Sequence, residues 1–257
     1  MGRIHRNNIK LTTNIMNNRP NGCIVWEGKS EFDGSPIVLL LTGLELPSQN
    51  RKTGPVVQSY IVRSDITPLE AVKTRLDCAI CGNCAFRKDV CYVDMRPINN
   101  IWRVYKRGGY PRLTKTMLAR VHRRRKVLRL GSYGDPAAVP LKVWETILSS
   151  FGHHTGYTHA WRFCHEAWRK YLMASVESQN QALLAQSMGW RTFRVKLPNQ
   201  GLLPGEVHCT NLVDDSLTCE DCRLCDGTNG KSPVHVADNV HGLTYKVSNF
   251  SATTSCS

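Results

Sequence analysis

Cysteine is the residue type whose spacing most directly implies chemistry in this chain. Cys78, Cys81 and Cys84 recur every third residue, and Cys91 follows them. The pattern returns as Cys219, Cys222 and Cys225, with Cys209 ten positions ahead of the triplet. Thiolates are soft ligands, and a tight turn carrying one at every third position aims them at a single centre. The Cys-x2-Cys-x2-Cys string is the run of bacterial-type ferredoxins, which implies iron–sulfur clusters of the four-iron type, one or two of them. Zinc is the alternative, although structural zinc more often uses two separate Cys-x2-Cys pairs. His208 is a rival to Cys209 as fourth ligand of the second set. Cys23, Cys164 and Cys256 read as a core thiol, a helix thiol and a tail thiol.

A second group of candidates sits where strands are expected to end. Ser132, Tyr133 and Asp135 follow the run Val127–Leu130; Thr158 and His159 close a short strand from 156; Ser175 and Glu177 close a third. Loops at the carboxyl ends of parallel strands are where α/β folds and barrels keep their chemistry. Asp135, His159 and Glu177 are therefore the candidate catalytic acids, bases or ligands. Ser132, Tyr133 and Ser175 are the candidate cofactor-binding residues. Asp135 stands directly before Pro136, so a helix cap is a competing reading for it.

The elements that must position these residues are legible in outline. Residues 1–20 lack a clear period and read as a flexible arm. Residues 22–66 look β-rich, with strands expected at 23–28, 36–42 and 56–62. The string Lys52-Thr53-Gly54 between the last two lacks P-loop glycine spacing, which favours a plain hairpin connection over an anion site. Residues 67–126 hold the first cysteine cluster and a basic helical segment, with Thr67-Pro68 as a helix start and a helix over 114–125. From 127 to 240 strands and helices alternate: strands near 127–130, 156–160, 171–176 and 190–197, helices at 141–150, 164–170 and 179–188, and further short strands at 207–209 and 234–237. That alternation predicts βα units and a parallel sheet. No dinucleotide fingerprint follows any strand, which weakens a Rossmann reading. The expected fold is thus a single α/β domain over 21–240, a partial or irregular (β/α) barrel rather than an open sheet, with a flexible tail at 241–257.

The net charge of +14 is concentrated. No acidic residue lies between Asp94 and Asp135, while 103–129 carries eleven Lys and Arg. Arg120, Arg123, Arg124, Arg125 and Lys126 form the peak and are the candidate phosphate contacts of a nucleic acid; a solvated helix face is the plainer alternative. The longest apolar run is far shorter than the about 20 residues a membrane helix needs, and the polar, basic start does not resemble a signal peptide. Clustered cysteines without an export signal read as ligands in a reducing cytoplasm.

Several strings together resemble the phage family known as gene product 88. They are Trp26-Glu27-Gly28, the Pro47–Gly54 loop, Ile80-Cys81-Gly82-Asn83-Cys84, Cys91-Tyr92-Val93 and Gly131–Pro140. Gly156-Tyr157-Thr158-His159, Ala174–Ser178, Gly189–Val195 and Leu203–Glu206 complete the set, which covers roughly 22–240. The resemblance implies a phage or prophage origin and a place in the host cytoplasm. The family's function is unassigned, so it transfers no catalytic residue. The layout is also similar to that of radical S-adenosylmethionine enzymes, whose barrels hold a four-iron cluster on three cysteines and often carry further clusters. Their usual Cys-x3-Cys-x2-Cys spacing is absent, and four apparent ligands would leave no open iron for S-adenosylmethionine. Two function classes follow: an iron–sulfur enzyme acting on nucleic acid or nucleotides, or a zinc-stapled nucleic-acid-binding protein without catalysis.

Overall fold

The computed structural model describes residues 19–87, 90–230, 232–242 and 244–254, with side chains to 250. The expected flexible arm lies almost wholly outside these residues, as does Cys256. Nine strands form one mixed sheet in the order β1-β2-β3-β4-β5-β6-β7-β9-β8. β1 (Gly22–Lys29), β2 (Pro36–Thr42) and β3 (Val57–Arg63) are antiparallel neighbours. β4 (Val127–Tyr133), β5 (His153–Thr158), β6 (Met173–Val176) and β7 (Thr192–Lys196) continue parallel from β3. β9 (His235–Asn239) pairs parallel with β7, and β8 (Glu206–His208) forms the far edge beside it. The α/β class and the parallel run hold as expected. The sheet is not closed, because β1 and β8 remain its two edges.

Burial explains why these runs become strands. In β2 every residue from Ile37 to Leu41 is buried, as in a strand covered on both faces. In β4 the alternation is informative: Leu128 and Leu130 join the larger core while Arg129 between them does not. That core packs the sheet against helices, with Trp144 and Ile147 of α5 (Leu141–Leu148) and Met117 and Val121 of α4 (Lys115–Arg123) among its members. A smaller cluster of Phe86, Val90, Phe193, Val195, Val236 and Phe250 forms separately.

The helix signals at 67 and 114 work as read. Thr67 accepts a bond from the Glu70 amide at the start of α1 (Pro68–Lys73), and Thr114 accepts one from Met117 at the start of α4. Between them lie the single turn α2 (Cys78–Cys81) and the amphipathic α3 (Met95–Lys106). The segment expected to be helical at 164–170 is a 3-10 turn at Glu166–Lys170, and Cys164 lies in the bend before it. After β6 comes α6 (Gln179–Ser187); the short turns α7 (Thr210–Val213) and α8 (Cys219–Cys222) follow β8. Beyond β9, residues Thr244–Thr254 form α9, which buries Phe250 at 5.7 Å from Phe86 within the stretch read as a flexible tail.

The sheet is curved. Five inter-strand steps separate β3 from β9, about 24 Å in a flat sheet. Yet Tyr60 of β3 and Val236 and Asp238 of β9 line one cavity. Lys52, in the loop before β3, pairs with Asp238 at 2.5 Å. Among the described residues no helix is long and apolar enough to cross a membrane.

Candidate metal and substrate site

The first cysteine set sits on a turn braced from several sides. Arg87 donates to Asp77 at 2.6 Å and to the carbonyls of Gly82 and Arg75 at 3.0 and 2.9 Å, tying the turn's start to its end. The Ser30 hydroxyl donates to the Ala79 carbonyl at 2.6 Å, and the Asp135 amide donates to the Ile80 carbonyl at 2.6 Å. That last bond locks the turn to the end of β4. It requires Gly134, which has φ +80°, and a Cβ there would lie 2.8 Å from Ile61.

The four cysteines of this set are not equivalent. Cys81, Cys84 and Cys91 line one cavity of about 110 Å³ together with Tyr133, Asp135, His159 and Ser175. Cys78 does not line it, and its Sγ lies 3.9 Å from Oδ2 of Asp33, in the β1–β2 turn. Burial first, then the neighbouring Cys84 and Cys91, holds the Cys81 thiol well above its ordinary pKa. Burial likewise raises Cys84 and Cys91.

The second set is assembled from two segments. Cys209 follows β8, its amide donating to the Ala237 carbonyl of β9 at 2.7 Å. Cys219 and Cys222 begin and end α8, whose start carries a capping box between Thr218 and Asp221. The loop before β3 docks on this turn: the Cys219 and Glu220 amides donate to the carbonyls of Lys52 and Thr53 at 3.0 and 3.3 Å. Gly54, at φ +74°, permits the contact, since a Cβ there would stand 2.7 Å from the Thr218 hydroxyl. The Lys-Thr-Gly string is thus more than a hairpin connection. Cys209, Cys219, Cys222 and Cys225 all line a cavity of about 410 Å³. Burial, then Cys219, Cys209 and Cys222, raises the Cys225 thiol well above its usual range. His208, the rival ligand, does not line this cavity.

The two cavities adjoin, sharing Tyr92, Val93, Arg129, Ser132, Tyr157 and Phe193 in their walls. Of the strand-end candidates, Ser132, Tyr133, Asp135, His159 and Ser175 line the smaller one; Glu177 does not. Asp135 is buried and accepts three bonds, from the Ala137 amide (3.0 Å), the Thr158 hydroxyl (2.7 Å) and the His159 amide (2.8 Å). It caps the 3-10 turn at Pro136–Ala138 and fixes the end of β5, which assigns it a positioning role and favours the cap reading. His159 and Glu177 face each other, Nε2 to Oε1 3.5 Å, and among the described residues neither atom has a hydrogen-bond partner. Burial pushes His159 down to about 4 and Glu177 up to about 7, so each favours its neutral form. Tyr133 Oη and Ser175 Oγ are also buried without a partner, whereas Ser132 Oγ bonds Gln58. Buried polar atoms are nearly always paired, so these atoms offer bonding positions to a ligand or to water.

Among the described residues no three His, Cys, Asp or Glu side chains converge tightly enough to hold a metal ion as they stand. The chemistry of the donor sets nevertheless suits one. Cys81 lies among the acidic groups Cys84, Cys91, Asp77 and Asp135, with Arg87 as a cation near it and Lys246 near Cys91. Three thiolates gathered there would repel one another, and a bound metal would balance their charge.

The basic stretch is partly consumed within the fold. Arg120 and Arg124 pair with Glu45 at 3.1 and 2.9 Å, and Lys126 donates to the Gly43 carbonyl at 2.8 Å. Of the five candidate phosphate contacts, Arg123 and Arg125 remain exposed and, among the described residues, outside any ion pair. Residues that sequence reasoning missed include Arg129, Tyr92, Tyr157 and Asp238 in the cavity walls. A signal for Arg129 existed: a charged residue inside the apolar run Val-Leu-Arg-Leu.

Comparison with known proteins returned no matching family model, no matching curated protein and no matching solved structure.

Proposed function

We propose that the chain is an iron–sulfur enzyme whose curved sheet acts as a partial (β/α) barrel. Cys81, Cys84 and Cys91 would hold one four-iron cluster, and Cys209, Cys219, Cys222 and Cys225 a second. The observation that carries this reading is the turning of both cysteine sets toward adjoining cavities with a common wall. A purely structural pair of metal staples has no need of a cavity between them.

The exclusion of Cys78 from the smaller cavity also bears on the radical S-adenosylmethionine resemblance. A four-iron cluster on three cysteines keeps one iron without a protein ligand, and S-adenosylmethionine fits the resemblance as its occupant. When bound, that pair supplies radical chemistry. The chain's own residues would do the rest: Tyr133, Ser175 and His159 would offer polar atoms to a ligand, Glu177 would back His159, and Asp135 would hold their loops in place. Action on nucleotides or nucleic acid, with Arg123 and Arg125 as remaining phosphate contacts, belongs to the same proposal. So do the phage origin and a place in the host cytoplasm.

The second set supports a zinc reading as well, because four cysteines from two segments match a closed structural site. Anaerobic reconstitution separates these outcomes. Two clusters give about eight irons per chain with matching sulfide. Cys222→Ser should remove roughly half of that iron by the same count. About two zinc ions and no iron would replace the proposal with the stapled binding protein.

A further inference from the structure

Arg129 is a cation with no carboxylate partner among the described residues. It lies in the middle of β4, half-buried, on the wall common to both cavities. One of its nitrogens donates to the Tyr157 hydroxyl at 2.9 Å, and its guanidinium lies 5.4 Å from the Tyr157 ring centroid. Tyr157 in turn meets the Tyr92 hydroxyl at 3.2 Å. Among the described residues no carboxylate pairs with Arg129. Lys196, also buried, likewise lacks a carboxylate but is held by Asn239 Oδ1 and the Leu197 carbonyl, whereas three other inward cations are ion-paired. Arg194 is paired with Glu206 at 2.6 Å, Arg191 with Asp226 at 2.7 Å, and Lys52 with Asp238 at 2.5 Å.

A guanidinium offers five donors in a planar fork that matches carboxylate and phosphate oxygens. Here the Arg129 side chain lines a cavity of about 410 Å³, within the range of small-molecule sites. The cavity also presents the aromatic rings of Tyr60, Tyr92, Tyr157 and Phe193. A charge withdrawn from bulk water is normally matched by a counter-charge, and among the described residues Arg129, unlike Arg191 and Arg194, has no carboxylate to match it while lining a cavity.

We propose that Arg129 is the anchor for the anionic group, phosphate or carboxylate, of a small aromatic substrate bound between the two cysteine sets. This deepens the enzyme reading, since it rests on the cavity being the substrate site. It does not depend on which metal the cysteines carry. A rival role exists: Cys219 and Cys225 both act on Arg129 electrostatically, so Arg129 would instead balance an anionic metal centre.

The test is titration calorimetry on purified, metal-loaded protein with three probes: uridine 5′-monophosphate, orotate and uridine. At least one of the two anions should bind at least tenfold tighter than uridine, and which one does so tells phosphate from carboxylate. Arg129→Gln should reduce that anion's affinity to the level of uridine, at least a tenfold loss. Arg129→Lys keeps the charge but not the fork, and should fall between the two; it also serves if the glutamine variant does not fold. Metal content is measured on the same samples, so failure of the cluster reading shows separately from failure of the anion site. Equal binding of uridine and both anions, no binding of either anion, or anion affinity unchanged in both variants would overturn the proposal. Loss of metal in Arg129→Gln with unchanged anion affinity would assign Arg129 to the metal centre instead.

Discussion

Glu177 and His159 oppose one another in their pH dependence. Glu177 moves from 4.5 in the unfolded chain to about 7 when folded, so the native state holds its proton more tightly. Its contribution is fully present below pH 4.5 and is lost as pH rises through about 7. His159 falls from 6.5 to about 4, so its contribution is present above 6.5 and is lost as pH falls through about 4. Glu177→Gln removes only the first effect. In metal-free protein the variant should be more stable than the parent at pH 8 by about 3 kcal/mol, with the gain gone by about pH 4. Denaturant unfolding at the two pH values reads this directly; a variant equally stable to its parent at pH 8 would show that Glu177 is not held in a buried, unpaired state. Asp135→Asn tests the positioning role. One oxygen becomes a donor facing an N–H, and a loss of about 2 kcal/mol in stability is expected. If stability were unchanged, Asp135 would not be fixing the ends of β4 and β5.

At the scale of the elements, the cysteine turn depends on how closely β4 can approach it. Gly134→Ala adds a Cβ 2.8 Å from Ile61 at φ +80°, and should destabilise by about 2–4 kcal/mol in thermal or denaturant unfolding. It should also reduce iron uptake, because the bond from the Asp135 amide to the Ile80 carbonyl is what holds the turn. The basic segment divides by the same logic. Arg123→Ala with Arg125→Ala should lower the salt slope of DNA or RNA retention by about two, if those side chains meet phosphates. Arg120→Ala with Arg124→Ala should act on stability through Glu45 instead. Equal retention by wild type and the first pair would remove nucleic acid from the proposal.

The parallel strands and their helices were legible in the sequence because each apolar run is short and ends in a polar or glycine-containing loop. The strand-end candidates followed from that alone, and Tyr133, His159 and Ser175 do share a cavity. The inequality of the first four cysteines was not legible. A spacing of three treats Cys78 and Cys81 alike, yet Cys81 lines the smaller cavity while Cys78 lies against Asp33, 45 positions earlier in the chain. Nor could the pattern of 47–54 show that it would dock on the second cysteine turn, since the partner segment begins at 218.

For the molecule as a whole, the central claim is that the curved sheet gathers three thiols of the first set, not four, at a cavity adjoining the second set. The curvature itself is held by contacts between distant loops, chiefly Lys52 with Asp238 and with the Cys219 amide. Iron content of single serine variants, after anaerobic reconstitution, tests the claim most directly. Cys81→Ser, Cys84→Ser and Cys91→Ser should each lose roughly half of about eight irons, while Cys78→Ser should retain them all. Loss of iron from Cys78→Ser equal to that of the other three would contradict the three-thiol centre.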